Sequence, residues 1–247
     1  MPPIKRENEA NIEKKLKWLI PILVVSILII IFLVYTSYYY HADVTAQAAL
    51  VSGETVHVTQ TSYGWLFDGP SEQNALIFYP GAKFEETAYA PLRHLLAQEG
   101  MDVCLVSMPF RLAIFGANTA DSVMAQYNYE DWYIGGHSLG GAMAANYAAS
   151  HGDQLTGLIL LAAYPTKPLN EALLEISIYG SEDGVLNMEK IEAGKAHAPG
   201  DYREYIIAGG NHAQFGNYGE QRGDGPAAIS SEEQQQMAVR YIIQNKQ

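Results

Sequence analysis

The eleven residues Asp131-Trp132-Tyr133-Ile134-Gly135-Gly136-His137-Ser138-Leu139-Gly140-Gly141 constrain this chain more than any other stretch. Ile134 and Gly135 end an apolar run that reads as a buried strand. Leu139 opens a helix whose early residues are small: Gly140, Gly141, Ala142, Ala144 and Ala145. Between strand and helix stands the pattern G-x-S-x-G, Gly136 to Gly140. Glycines flanking a serine permit a strained strand-to-helix turn that exposes the hydroxyl, and small residues let the helix lie close to the sheet. The helix N-terminus places partly positive N–H groups beside that hydroxyl, where an oxyanion would form. A chain with 22 glycines in 247 residues can produce the pentapeptide by chance, so its meaning depends on the partners a reactive serine requires.

A serine hydroxyl needs a base, and the base needs an orienting acid. The chain has seven histidines. His41 and His57 precede the sheet core, His94 lies on a helix, His137 is the variable residue of the turn, His151 ends a helix and His197 falls in a polar loop. His212 directly follows a strand end, at Ala208-Gly209-Gly210-Asn211-His212, and is the expected base. The acid should follow an intervening strand, and Ile176 to Tyr179 leads into Gly180-Ser181-Glu182-Asp183-Gly184. Asp183 is the choice and Glu182 its rival by adjacency. Asp153 precedes its strand and would lie at the opposite end of a parallel sheet from Ser138. For an oxyanion, the expected donors are the amide of Leu139, next after the serine, and that of Ala82, in the turn Tyr79-Pro80-Gly81-Ala82. Lys83 reads as a solvated lysine.

Hydrophobic patterning organises the rest. Thr55 to Thr61 alternates like a half-buried strand and, with Trp65 to Phe67, predicts an antiparallel hairpin at a sheet edge. From Ala75 onwards, continuous apolar runs alternate with helical stretches. Strands are expected at 75–79, 103–107, 132–135, 158–163, 176–179 and 205–208, with helices at 86–98, 120–126, 139–150, 187–193 and 231–244. This order predicts an α/β fold with a mainly parallel sheet and helices on both faces. Cys104 is the only cysteine. No intramolecular disulfide can form, and its apolar setting reads as a buried, inert thiol.

The formal charge of −12 argues against nucleic acid as a partner. The charge is unevenly spread: residues 1–17 carry +2, leaving −14 for the remainder. Trp18 to Tyr40 contains no Asp, Glu, Lys or Arg, a run long enough to cross the ~30 Å hydrocarbon core of a bilayer. It reads as a transmembrane helix with Pro21 in its first turn and Trp18, Tyr35, Tyr38, Tyr39 and Tyr40 at the interfaces. Basic residues before it place residues 1–17 in the cytoplasm and residues 41–247 outside. The competing reading is a signal peptide cleaved near Ala46-Gln47-Ala48. The apolar run exceeds the ~7–15-residue core of a signal, which favours an uncleaved anchor. Residues 41–54 read as a spacer and residues 55–247 as the folded domain.

The marks Gly135 to Gly141, Met108-Pro109-Phe110 and Gly209-Gly210-Asn211-His212-Ala213-Gln214-Phe215-Gly216, continuing through Tyr218, Gly219, Gln221 and Gly223-Asp224-Gly225, resemble the α/β-hydrolase superfamily. Within it the chain is similar to the compact bacterial group akin to dienelactone hydrolases. The resemblance spans about residues 56–246. It implies that Ser138, Asp183 and His212, in the family's chain order, form a catalytic triad acting on carboxylic esters through an acyl-enzyme, with no metal or organic cofactor. Pro80-Gly81 stands where many members have His-Gly. Large members carry a helical cap before the acid strand; here residues 164–175 leave no room for one, which predicts an open site. A small or lipid-like acyl compound is the expected substrate, with Phe84, Phe110, Phe115, Tyr164 and Phe215 as candidates to line its pocket. Acyl transfer to an envelope acceptor by the same triad is one alternative, and a membrane-tethered binding module without chemistry is another.

Overall fold

The computed structural model describes residues 4–71 and 73–246. Two compact units divide the chain, residues 1–39 and 40–247. The first is helix α1, Ile4–Ser37. Its stretch Lys17–Ser37 has a mean hydropathy of 3.0 and is long and apolar enough to cross a membrane. Pro21 was expected in the first turn, but the helix begins at Ile4, so the proline lies inside it. There it removes one backbone donor and crowds the carbonyl of Lys17.

The second unit begins earlier than the sequence predicted. Tyr40 pairs with Phe84 through an isolated bridge, and Asp43 caps the short helix α2, Val44–Ala48, by accepting from the Ala46 amide at 2.9 Å. Ala46 is completely buried. Residues 41–54 are therefore part of the folded domain in their first half rather than a spacer. Small alanines at 42, 46 and 49 approach the core closely, a signal that a polar-looking segment conceals.

One eight-stranded sheet forms the centre, in the order β1-β2-β4-β3-β5-β6-β7-β8. The strands are β1 His57–Gln60, β2 Gly64–Asp68, β3 Asn74–Tyr79, β4 Asp102–Val106, β5 Asp131–His137, β6 Gly157–Leu161, β7 Leu174–Gly180 and β8 Asp201–Ile207. β1 and β2 are an antiparallel hairpin, β2 meets β4 antiparallel, and every pairing from β4 to β8 is parallel. β3 and β4 are buried at every position, as strands covered on both faces must be. β8 starts at Asp201, four residues before its predicted start at Tyr205. It is an edge strand whose charged residues face partners at the rim: Arg203 holds Asp201 at 2.8 Å and Asn245 at 2.6 Å. Polar side chains are tolerated there, so hydropathy alone misses half the strand.

Alternate residues of each strand feed two cores. Leu76 and Phe78 of β3 join a layer with α3, Ala90–Gln98, and α7, Ser231–Ile243. Ala75, Ile77 and Tyr79 face a second layer with α4, Thr119–Met124, and α5, Leu139–His151. Helix α6, Met188–Gly194, lies between β7 and β8. The β6–β7 connection contains no helix. Because β3 through β8 are parallel, the turns after β3, β4, β5, β7 and β8 all emerge at one edge of the sheet, where the strand order reverses around β3. That edge is where open α/β sheets bind ligands.

Candidate active site

β5 leads into α5 through Ser138, whose backbone adopts φ 54° and ψ −123°. A non-glycine residue in this region stores roughly 1–3 kcal/mol of strain. Its neighbours hold it there. Ser138 N–H donates to Leu161 O at 3.0 Å, extending the β5–β6 ladder, and Ser138 O accepts the first helical bond from Ala142 at 3.0 Å. The glycines have a steric cause. A Cβ on Gly140 would stand 2.1 Å from Tyr79 O, and one on Gly136 would stand 2.6 Å from the same oxygen. Ser138 and Leu139 are partly exposed while His137 before them is buried, so the turn brings the serine towards the surface.

Leu139 is the first residue of α5, and first-turn amides have no acceptor within the helix. Ala82 lies in the turn after β3. The amides flanking it are engaged, Gly81 N–H with the Tyr89 hydroxyl at 3.2 Å and Lys83 N–H with Arg111 O at 2.9 Å. Both turns approach each other at α5, where Gly140 lies against the backbone of Tyr79 and Pro80. Lys83, Phe110 and Arg111 all have positive φ, at 64°, 55° and 57°. Together with Ser138 they concentrate left-handed, non-glycine backbone at this edge, as strained functional loops do.

Asp183 follows β7 and His212 follows β8. The two side chains are 1% exposed and meet with His212 Nδ1 at 2.8 Å from Asp183 Oδ2. Asp183 Oδ1 accepts from the amides of Val185 at 2.9 Å and Leu186 at 2.8 Å. The carboxylate is thus aimed by its own loop, with one oxygen anchored and the other on the imidazole. Glu182, its rival, instead accepts from the Ser181 hydroxyl at 2.9 Å on the surface. Asp153 sits before β6, at the opposite edge.

His212 is fixed from behind. The Asn211 amide donates to Gln234 Oε1 at 2.9 Å, and Gln234 Nε2 returns a bond to Asn211 O at 2.8 Å. Its ring lies 4.4 Å, centroid to centroid, from that of His137, the residue immediately before Ser138. His212 Nε2 is buried and makes no hydrogen bond among the described residues. The geometry therefore joins Asp183 to His212 and sets the His212 ring, tilted by 48°, against His137 of the serine turn, while the Ser138 to His212 hydrogen bond is not formed. Such bonds commonly tighten only when substrate arrives.

Beneath them, His137 Nδ1 lies 2.8 Å from the Tyr89 hydroxyl. Burial, with His212 close by, pushes the His137 pKa well below its ordinary value, so this imidazole stays neutral. Burial likewise raises the Tyr89 pKa, keeping the phenol protonated. Tyr89 and Gln234 are supporting residues that sequence reasoning passed over, and Asp224 entered it only within Gly223-Asp224-Gly225, without a role. Only Asp224, set between two glycines, carried a local signal. Of the aromatic candidates, Phe84 and Phe215 are core residues: Phe84 stacks on Tyr218 at 4.2 Å, and Phe215 is fully buried beside His137. Phe110 and Phe115 stay about half exposed, edge to face at 5.6 Å. A cavity of about 550 Å³ lies beside Asn211, Gln214 and Asp224, and Ser138 does not line it. Among the described residues, no cluster of three or more His, Cys, Asp or Glu could hold a metal ion.

A family model described as "Alpha/beta hydrolase family" matches residues 75–236. A search of curated protein sequences finds no match. Among solved structures, a dienelactone hydrolase from Anabaena variabilis is 12% identical, with a TM-score of 0.59 over 78% of this chain and 100% of its own. A monoacylglycerol lipase from Paleococcus ferrophilus is 14% identical, with a TM-score of 0.57 over 76% and 98%. A bacterial membrane phospholipase A is 13% identical, with a TM-score of 0.52 over 94% and 99%. At these identities the likeness is one of fold.

Proposed function

Because the chain belongs to the α/β-hydrolase family, we propose that it is a serine hydrolase cleaving carboxylic esters through an acyl-enzyme on Ser138. The observation that carries this reading is the buried Asp183–His212 pair, 2.8 Å apart, with the His212 ring packed against the residue preceding a strained, partly exposed serine. His212 Nε2 takes the proton from Ser138 Oγ as the oxygen attacks the ester carbonyl carbon. The amides of Leu139 and Ala82 hold the resulting oxyanion. The tetrahedral intermediate then collapses, the C–O bond to the alcohol breaks, and the alcohol leaves with the proton from His212. Water repeats the sequence on the acyl-enzyme, releasing the acid and restoring Ser138. Asp183 keeps the imidazole in the tautomer with its proton on Nδ1 and stabilises the imidazolium that forms. Every group this chemistry needs is a side chain or amide of the chain.

In this reading residues 18–40, helical as far as Ser37, are an uncleaved membrane anchor, residues 1–17 are cytoplasmic, and the catalytic domain stands outside. Neighbours named as a monoacylglycerol lipase and a membrane phospholipase support a small or lipid-like acyl ester as substrate. The deciding experiment compares wild-type protein with Ser138→Ala on a graded series of p-nitrophenyl esters and with a fluorophosphonate probe. Wild type should turn over esters and take the label, and the variant should do neither. Equal ester turnover by purified Ser138→Ala would refute the assignment.

A further inference from the structure

The segment Gly223-Asp224-Gly225 has no part in the chemistry described above, yet it is wedged between the two loops that carry the acid and the base. Asp224 Oδ1 accepts from Gly184 N–H at 3.0 Å, on the acid loop, and from His212 N–H at 3.2 Å, on the base itself. The same oxygen accepts from Gly225 N–H at 2.9 Å, and Oδ2 accepts from Ala213 N–H at 2.8 Å. One carboxylate thus holds the residue after Asp183, the backbone of His212 and the residue after it.

The glycines around it exist for this approach. A Cβ on Gly225 would fall 2.0 Å from Glu182 O, and one on Gly184 would fall 2.8 Å from Gly223 O. Gly223 has φ 89°, which a residue with a side chain adopts only under strain. Asn211 Nδ2 adds a further strut by donating to Gly225 O at 2.9 Å. The acid loop and the base loop follow different strands, β7 and β8, and they are bridged directly by the side-chain bond from Asp183 to His212, by Glu182 N–H donating to Gly210 O at 2.8 Å, and nearer the strand ends by Gly209 N–H donating to the Ser181 hydroxyl at 2.8 Å. A carboxylate accepting several amides at once makes charge-assisted bonds, roughly twice as strong as neutral ones.

We propose that Asp224 is a positioning residue for catalysis, a clip that holds the backbones of the Asp183 and His212 loops in register so that their side chains stay paired. This inference rests on the serine-hydrolase reading. Asp224 touches no reacting atom and acts only through the pair. Losing it should therefore lower kcat while leaving substrate binding intact, and the loss should disappear once Asp183 is gone, because residues that act as a unit are not additive.

The test uses the full-length protein in detergent, with p-nitrophenyl acetate as substrate. Asp224→Ala should lower kcat about 100-fold with KM within about twofold, and should slow fluorophosphonate labelling in parallel. Asp224→Asn retains one acceptor oxygen and should lose about tenfold, which also supplies a measurable variant if the alanine protein does not fold. In an Asp183→Ala background, adding Asp224→Asn or Asp224→Ala should change the residual kcat less than about threefold. The proposal is overturned if either single variant keeps kcat within twofold of wild type. It is equally overturned if the two losses multiply in the double variant, which marks a general effect on folding. Wild-type protein that neither turns over ester nor takes the label would instead refute the serine-hydrolase reading.

Discussion

The rings of His137 and His212 lie 4.4 Å apart, and through this contact the expected base rests on the serine turn rather than on solvent or on a loop. His137 is held in turn by Tyr89, whose hydroxyl stands 2.8 Å from its Nδ1 and accepts Gly81 N–H at 3.2 Å. One buried phenol thereby connects the turn carrying Ala82, the turn carrying Ser138 and the platform beneath His212.

Tyr89→Phe tests that junction. The substitution leaves Gly81 N–H and His137 Nδ1 buried without their partner, which costs about 1–3 kcal/mol. Thermal unfolding should move down by several degrees. The kcat for a short ester should fall about tenfold, because both the Ala82 turn and the His137 platform lose their anchor. An unchanged kcat would show that neither depends on the phenol.

Asp183→Asn separates charge from shape. Asp183 Oδ1 is committed to the amides of Val185 and Leu186, so in the variant the amide nitrogen must occupy the Oδ2 position and donate to His212 Nδ1. That places the imidazole proton on Nε2, where it cannot accept from Ser138. The kcat should fall about 10³–10⁴-fold, with little change in KM. Glu182→Gln, altering the neighbouring surface carboxylate, should stay within twofold. Comparable losses in the two variants would reject Asp183 as the orienting acid.

Glu175 predicts a pH dependence of stability. This β7 side chain is 1% exposed, and neither carboxylate oxygen has a hydrogen-bond partner among the described residues. Burial raises its pKa from 4.5 to about 8. A raised carboxyl pKa means that the folded state holds a proton the unfolded state has released. Its contribution is complete below pH 4.5 and is lost as pH rises through 8, at up to about 1.4 kcal/mol per pH unit. Glu175→Gln, neutral throughout, should flatten this decline and raise unfolding free energy at pH 8 by up to about 4 kcal/mol relative to its effect at pH 4. Denaturant titrations of both proteins at pH 4, 6 and 8 measure it, and parallel pH curves would contradict it.

Much of the site was legible because its parts are local. Gly136 to Gly140 encode a strand-to-helix turn through steric limits that act within five residues, since a Cβ on Gly136 would stand 2.6 Å from Gly140 C and Gly141 N, whereas the approach of Gly140 to Tyr79 and Pro80 is tertiary. Asp183 and His212, which the structure pairs at 2.8 Å, could be singled out because strands β7 and β8 read as apolar runs with a polar residue just beyond. The run without charge from Trp18 to Tyr40 was equally plain, although its helix ends at Ser37. Element boundaries fared less well where tertiary context overrides hydropathy, as at the charged edge strand β8 and the small α2 helix.

The sequence alone determined the alternation of strands and helices and the strand-to-helix turn at Ser138, since each depends on backbone sterics and periodicity within short windows. The choice of Asp183 over Glu182 as the partner of His212, the tie from Tyr89 to Gly81 and His137, and the clasp of Asp224 on two loops were decided only by the tertiary structure. Those contacts join residues from 8 to 48 positions apart. Their pairing follows from the parallel register of β3, β5, β7 and β8, which brings separate strand ends to one edge and lets a single carboxylate or phenol reach two of them at once.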